Sequence, residues 1–169
     1  MKYATHGLLA LVVFCTAAVN ANAHENEISQ TIEINAPAAE VWEMVGNFHA
    51  IHRWLPGVAE TVSDGGTAPG TKRELVLEQG PSVYEQLEMW NAETMSLGYS
   101  IPDATHDVTV LPVKGYSSEI TVIDTGGASL VTWTGRFYAP DGMNDADAVG
   151  PVNGLYKIGL DNLKSLLEP

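Results

Sequence analysis

Two residues stand out as able to do chemistry: Glu85 and Arg73. From Val83 to Trp90 polar and apolar side chains alternate, so Val83, Glu85, Leu87 and Met89 share one face of a strand. A carboxylate on an apolar face must be paired or protonated, because an isolated charge is strongly disfavoured away from water. In the preceding segment Arg73, Leu75 and Leu77 share a face in the same way, which makes Arg73 the natural partner. Two readings stay open. One is a polar anchor inside a cavity, with Glu85 as a general acid of raised pKa. The other is a buried structural ion pair, toward which the balance tilts because structural networks perturb pKa values too.

Aromatic residues are the second group. Tyr84, Tyr99, Tyr116, Tyr138 and Tyr156, with Trp54, Trp90 and Trp133, could wall a pocket, since aromatic surfaces with a few polar tips hold cyclic or hydrophobic molecules. Tyr99, Trp133 and Tyr156 fall on faces assigned inward, and Trp54 is expected at the mouth. The candidate ligand-binding set is therefore Trp54, Arg73, Glu85, Tyr99, Trp133 and Tyr156, with packing as the default role of each aromatic.

Other chemistries find less support. His49 and His52 are spaced i, i+3, but two imidazoles make a poor metal site without a third ligand. His24, as a new N-terminus, would offer an amine and an imidazole to copper with no fixed partner. No metal and no cofactor are expected. His106-Asp107 reads either as an acid/base pair at a cavity rim or as a solvent-facing loop pair, with the loop favoured. Neither a Gly-x-Ser-x-Gly elbow nor a phosphate-cradling loop occurs, and Gly65-Gly66 and Gly70 lack the following helix and Lys-Ser/Thr.

The elements that must position these groups follow from periodicity. Alternation over 28–35 predicts a first strand. Pro37, Glu40 and the apolar stripe Val41, Trp42, Val45 and Phe48 predict a helix over 37–48, followed by a short helical piece at 53–57 stopped by Pro56-Gly57. Period two then predicts strands at 58–63, 71–78, 82–90, 94–101, 108–123 with a bend near Lys114-Gly115, and 128–139. Short connections imply an antiparallel meander. Helical spacing returns over 145–167, with Val149, Val152, Leu155, Tyr156, Ile158, Gly159, Leu163 and Leu166 toward one side and Gly150-Pro151 predicting a kink or delayed start. The fold class expected is α+β: a curved seven-stranded antiparallel sheet wrapped on a long C-terminal helix, with two short helices after strand 1. A space between curved sheet and helix is commonly a cavity.

Residues 1–23 read as a cleaved signal peptide: Lys2, the apolar run Gly7 to Val19, and Ala21-Asn22-Ala23 before His24. The run is too short for a membrane span of about 20 residues. A lipoprotein reading of Cys15 meets bulky Phe14 where a small residue is needed. The expected location is periplasmic or secreted. Residues 24–169 then form one domain, without cysteine, stabilised by a packed core rather than a disulfide. It carries 7 basic against 21 acidic side chains, a net of −14, which disfavours nucleic acid and anionic lipid as partners.

Several phrases, in order, resemble the polyketide cyclase/dehydrase-like family of the START/Bet v 1-like (SRPBCC) superfamily, whose fold is the helix-grip. These are Ile34-Asn35-Ala36-Pro37-Ala38-Ala39-Glu40-Val41-Trp42, Arg53-Trp54-Leu55-Pro56-Gly57, Gly70-Thr71-Lys72-Arg73, Tyr84-Glu85, Val131-Thr132-Trp133-Thr134-Gly135 and Leu155-Tyr156-Lys157-Ile158-Gly159-Leu160. A narrower resemblance is to the periplasmic MxaD-type accessories of methanol oxidation. It rests on Asp107 to Val113 running into Tyr116-Ser117-Ser118, on Trp133 to Tyr138, and on Gly159 to Lys164. The short segment between Tyr138 and Asp145 departs from it, where a longer proline-rich insertion belongs.

The resemblance implies a non-catalytic exported protein that binds a hydrophobic small molecule or assists a periplasmic redox system, with a dehydrogenase or cytochrome as partner. The alternative is a cyclase- or dehydratase-type enzyme in which Glu85, Arg73 and a tyrosine move protons. A fold that hosts both binding and catalysis does not choose between them.

Overall fold

A computed structural model describes residues 24–168. The expected leader over 1–23 lies outside the described residues.

Nine residues of alternating burial form β1 (Asn26–Ile34), and the short helix α1 (Ala38–Val45) follows Pro37 with Ala38, Val41 and Val45 turned to the core. The predicted 37–48 helix stops early. At Asn47 the side chain accepts from His49 N and starts a separate 3-10 segment, Phe48–Arg53. The second short helical piece is thus this segment, and Trp54 to Gly57 is a turn, with Gly57 at φ 88°.

The meander follows as β2 (Val58–Ser63), β3 (Lys72–Leu77), β4 (Val83–Asn91), β5 (Ser96–Ser100), β6 (Lys114–Asp124) and β7 (Ser129–Tyr138). They form one antiparallel seven-stranded sheet in the order β1-β7-β6-β5-β4-β3-β2. One prediction fails here: residues 108–113 are not strand. Asp107 Oδ1 accepts from both Thr109 N and Thr109 Oγ1, closing a turn that overrides the β-propensity of Val108-Thr109-Val110. His106 Nε2 bonds Leu111 O at 2.7 Å and braces the same loop. The expected bend at Lys114-Gly115 is present as a register shift between Lys114 and Ser117, with Gly115 at φ 58°.

The long helix α2 spans Asp145–Leu167. It starts without delay despite Pro151, because Asn144 Oδ1 caps Asp147 N at 3.0 Å and Asp145 and Asp147 face the positive helix end. Its buried face is Ala148, Val152, Tyr156, Gly159, Leu160 and Leu163; Ile158 and Leu166, expected on that side, are exposed. Lys164 Nζ bonds Glu33 O and Glu168 Oε1 accepts from Asn35 N, tying its C-terminal end to β1. Ile34, Val41, Phe48, Leu87, Val131 and Phe137 fill the core between sheet and helices. Each such side chain contributes about 1.5–3 kcal/mol. Among the described residues no helix is long and apolar enough to cross a membrane.

Candidate functional site

Alternation in β3 and β4 brings Arg73 and Glu85 face to face as direct cross-strand partners. Arg73 Nε donates to Glu85 Oε2 at 2.6 Å, and both side chains are buried. Arg73 Nη1 also donates to Phe48 O at 2.7 Å, and its guanidinium lies 4.0 Å from the Phe48 ring centre and 5.1 Å from that of Tyr99. The cation is therefore held by a carboxylate, a carbonyl and two aromatic faces. Its Nη2 has no partner among the described residues. Burial pushes the Glu85 carboxyl above its ordinary value, and the adjacent guanidinium pulls it back without cancelling the shift.

Beside this pair, between the sheet and α2, is a cavity of about 440 Å³. Leu75, Val83 and Ile101 line its sheet side, Val110 and Leu111 its loop side, and Gly154, Leu155 and Ile158 its helix side. Among the described residues Glu85 is the one charged side chain in that lining, and Tyr99, Tyr116 and Trp133 reach the wall as well. A second depression of about 490 Å³ lies beside β2 to β4 among Lys72, Glu74, Tyr84 and Gln86, and Glu85 borders both. The first, apolar and framed by helix and sheet, has the character of a ligand site.

Behind the cavity wall lies a connected polar cluster. Trp133 Nε1 donates to Ser118 Oγ at 2.8 Å and to Tyr99 Oη at 3.1 Å. Ser118 Oγ donates to Thr134 O and lies 3.0 Å from Tyr156 Oη, which is 2.6 Å from Tyr116 Oη. The Trp133 and Tyr156 rings stack at 4.2 Å. Two glycines permit this approach of α2: a Cβ at Gly135 would overlap the Tyr156 hydroxyl, and one at Gly159 would press on Leu55 and Trp133 at 2.9 Å. Burial raises the Tyr99 hydroxyl to about 12 and lifts Tyr116 and Tyr156 well above their ordinary values. At neutral pH these phenols are hydrogen-bonding groups and not bases.

Of the six candidate residues, Glu85, Tyr99 and Trp133 line the cavity. Arg73 acts through Glu85. Tyr156 is fully buried behind Trp133, and its hydroxyl is spent in the cluster. Trp54, placed at the mouth by the sequence reading, is 2% exposed and packs edge-on to Trp133 at 5.4 Å, because α2 crosses over it. Ser118 and the Val110-Leu111 flap were not foreseen. Alternation from Tyr116 through Ser118 to Ile120 would have shown Ser118 facing inward. His49 bonds Ser63 Oγ and Gly66 O while His52 bonds Thr61 Oγ1, so the two imidazoles go to separate partners. Among the described residues no group of three metal-ligating side chains gathers.

Residues 25–168 match the family described as polyketide cyclase / dehydrase and lipid transport. A putative uncharacterized protein from Bacillus thuringiensis is 30% identical with a TM-score of 0.72, covering 84% of this chain and 98% of its own. The protein XoxI from Bacillus cereus is 28% identical with a TM-score of 0.72, covering 83% of this chain and 94% of its own. MLP-like protein 423 from Arabidopsis thaliana is 27% identical over 114 residues, 63% of this chain and 72% of that protein. Norcoclaurine synthase from Thalictrum flavum, at 16% identity and a TM-score of 0.66 over 95% of this chain and 98% of its own, shares the fold. The START/Bet v 1-like superfamily and its helix-grip architecture are thereby established for this sequence.

Proposed function

Because the chain belongs to the polyketide cyclase / dehydrase and lipid transport family, we propose that it is a non-catalytic carrier that takes one hydrophobic small molecule into the cavity between sheet and α2. The observation that carries this reading is the cavity lining: about 440 Å³ walled almost wholly by aliphatic and aromatic side chains, with one carboxylate already paired to Arg73. Burying apolar ligand surface there is favourable at about 25 cal/mol per Å². A proton-transfer site needs an acid and a base of separated pKa. Here the buried tyrosines are all held neutral, and Glu85 faces a guanidinium.

The carrier works outside the cytoplasm, after removal of residues 1–23. The feature supporting this is the leader-like sequence of Lys2, Gly7 to Val19 and Ala21-Asn22-Ala23. A role beside a periplasmic dehydrogenase or cytochrome rests on the MxaD-type phrases alone. The cyclase/dehydratase reading draws on one observation, the raised pKa of Glu85 at the cavity wall.

Native mass spectrometry of the protein purified gently from its own source tests the reading. A single small organic molecule retained at one per chain, and returned chemically unchanged after incubation, supports the carrier. Conversion of that molecule supports the enzyme. An empty protein that co-purifies with a dehydrogenase or cytochrome overturns both and moves function to the surface.

A further inference from the structure

Two buried side-chain groups have no partner among the described residues, Arg73 Nη2 and Trp54 Nε1, and both are N–H donors. No buried side-chain acceptor is left open in the same way among those residues. A buried donor without an acceptor is costly, so the unmet need of this core is one-sided: it is for an oxygen that accepts.

Arg73 is the donor placed to meet a cavity occupant. On a planar guanidinium Nε and Nη2 present N–H bonds along one edge, the edge that a carboxylate can take with both oxygens. Glu85 takes only the Nε half, through Oε2 at 2.6 Å, and Nη1 is spent on Phe48 O at 2.7 Å. Those two bonds, with the Phe48 and Tyr99 rings 4.0 and 5.1 Å from the guanidinium, fix the open corner beside the Glu85 carboxylate. Arg73 is 4% exposed, and Glu85 and Tyr99, which hold it, line the cavity. An acceptor therefore reaches Nη2 on a molecule that occupies the cavity. Trp54, the other open donor, is bonded to no side chain of the lining among the described residues.

Charge decides between an ionic and a neutral acceptor. Among the described residues Glu85 is the only charged side chain in the lining, and Arg73 balances it. A ligand carboxylate at Nη2 would stand next to the Glu85 carboxylate in a low-dielectric space, where like charges repel strongly. A ketone or ester oxygen brings the acceptor without the charge. An alcohol also accepts, but it brings a proton for which no buried side-chain acceptor is open.

We infer that the cavity selects a neutral hydrophobic molecule bearing a carbonyl group, a ketone or ester, whose oxygen accepts from Arg73 Nη2 beside Glu85. This rests on the carrier reading above and specifies the ligand class of the same cavity. Arg73 is then the specificity-determining residue, and Glu85 holds its guanidinium in place and excludes anions.

Four probes of one shape separate the possibilities: 2-acetylnaphthalene, its hydrocarbon isostere 2-isopropenylnaphthalene, 1-(2-naphthyl)ethanol and 2-naphthoate. Each is titrated at pH 7 into the ¹⁵N-labelled full-length protein and followed by amide chemical shifts. The ketone is expected to bind tightest, by about tenfold over the hydrocarbon for one hydrogen bond to a cation, with the alcohol between them and naphthoate weakest. The infrared carbonyl stretch of the ¹³C-labelled ketone should lie lower when bound than in a hydrocarbon solvent. In R73M/E85M, which removes both charges together, the ketone's advantage over the hydrocarbon and the infrared shift should both vanish. Hydrocarbon, alcohol or naphthoate binding as tightly as the ketone, or a bound ketone with an unshifted stretch, overturns this inference and leaves the carrier reading standing. Binding of none of the four overturns both. The wild-type order and the wild-type infrared shift decide the question even if the variant fails to fold.

Discussion

Arg73 and Glu85 sit directly opposite one another on neighbouring strands, 2.6 Å apart from Nε to Oε2, and both are at least 94% buried. This geometry makes each the other's solvation. Removing Arg73 leaves a buried carboxylate without its cation, at a cost of about 3–5 kcal/mol.

That cost depends on pH in a determined direction. Burial already holds Glu85 above its ordinary value of 4.5, and without the guanidinium it rises further. The folded protein then binds more protons than the unfolded chain above pH 4.5, so stability falls as pH climbs. R73M is expected to show a small deficit against wild type near pH 4 and a large one at pH 7 in urea unfolding. Equal deficits at both values would exclude a charged Glu85 as the cause.

The tyrosine cluster gives a second pH signature. Tyr99, raised to about 12, and Tyr116 and Tyr156, raised well above their ordinary values, stay protonated in the folded state where the unfolded chain ionises near 10. The stability they contribute is whole below 10 and is lost as pH rises toward 12 and beyond. Absorbance at 295 nm during alkaline titration should show these three tyrosines ionising only together with loss of near-ultraviolet circular dichroism. Independent ionisation below 11 with the fold intact would contradict the buried cluster.

Gly135 lets α2 approach β7. A methyl group there overlaps the Tyr156 hydroxyl, so G135A should destabilise by about 1–3 kcal/mol through overpacking. Y156F gives back space at the same point, and the double variant should recover part of the loss. Additive effects in a double-mutant cycle would show that the two positions do not meet.

Gly154 has the opposite surroundings: it lines the cavity on α2, and a Cβ there meets nothing within 4 Å. G154L should stabilise the helix by up to about 1 kcal/mol, since glycine is a poor helix former, while its side chain fills ligand space. The expected result is a higher melting temperature together with at least about tenfold weaker ligand binding. Unchanged affinity would place the ligand elsewhere.

Periodicity alone carries far in this sequence. The strand patterns 71–78 and 82–90 put Arg73 and Glu85 on like faces, and the register places them opposite each other. The helix predicted over 145–167 is α2 to the residue. Alternation and helical spacing are local properties of a chain, and burial of the apolar side then forces the pairing. Which aromatics touch a ligand was not local. Trp54 and Tyr156 leave the cavity because α2 crosses close over Gly135 and Gly159, and a Cβ at either would prevent that approach. Residues 108–113 read as strand from period-two alternation but form a flap, because one Asp107 carboxylate closes a turn and His106 braces it, delivering Val110 and Leu111 to the cavity. Sequence thus determined the sheet, the long helix and the buried ion pair. The boundary between packed core and open cavity was decided only where helix and sheet meet, since that distance is set by contacts between residues far apart in the chain.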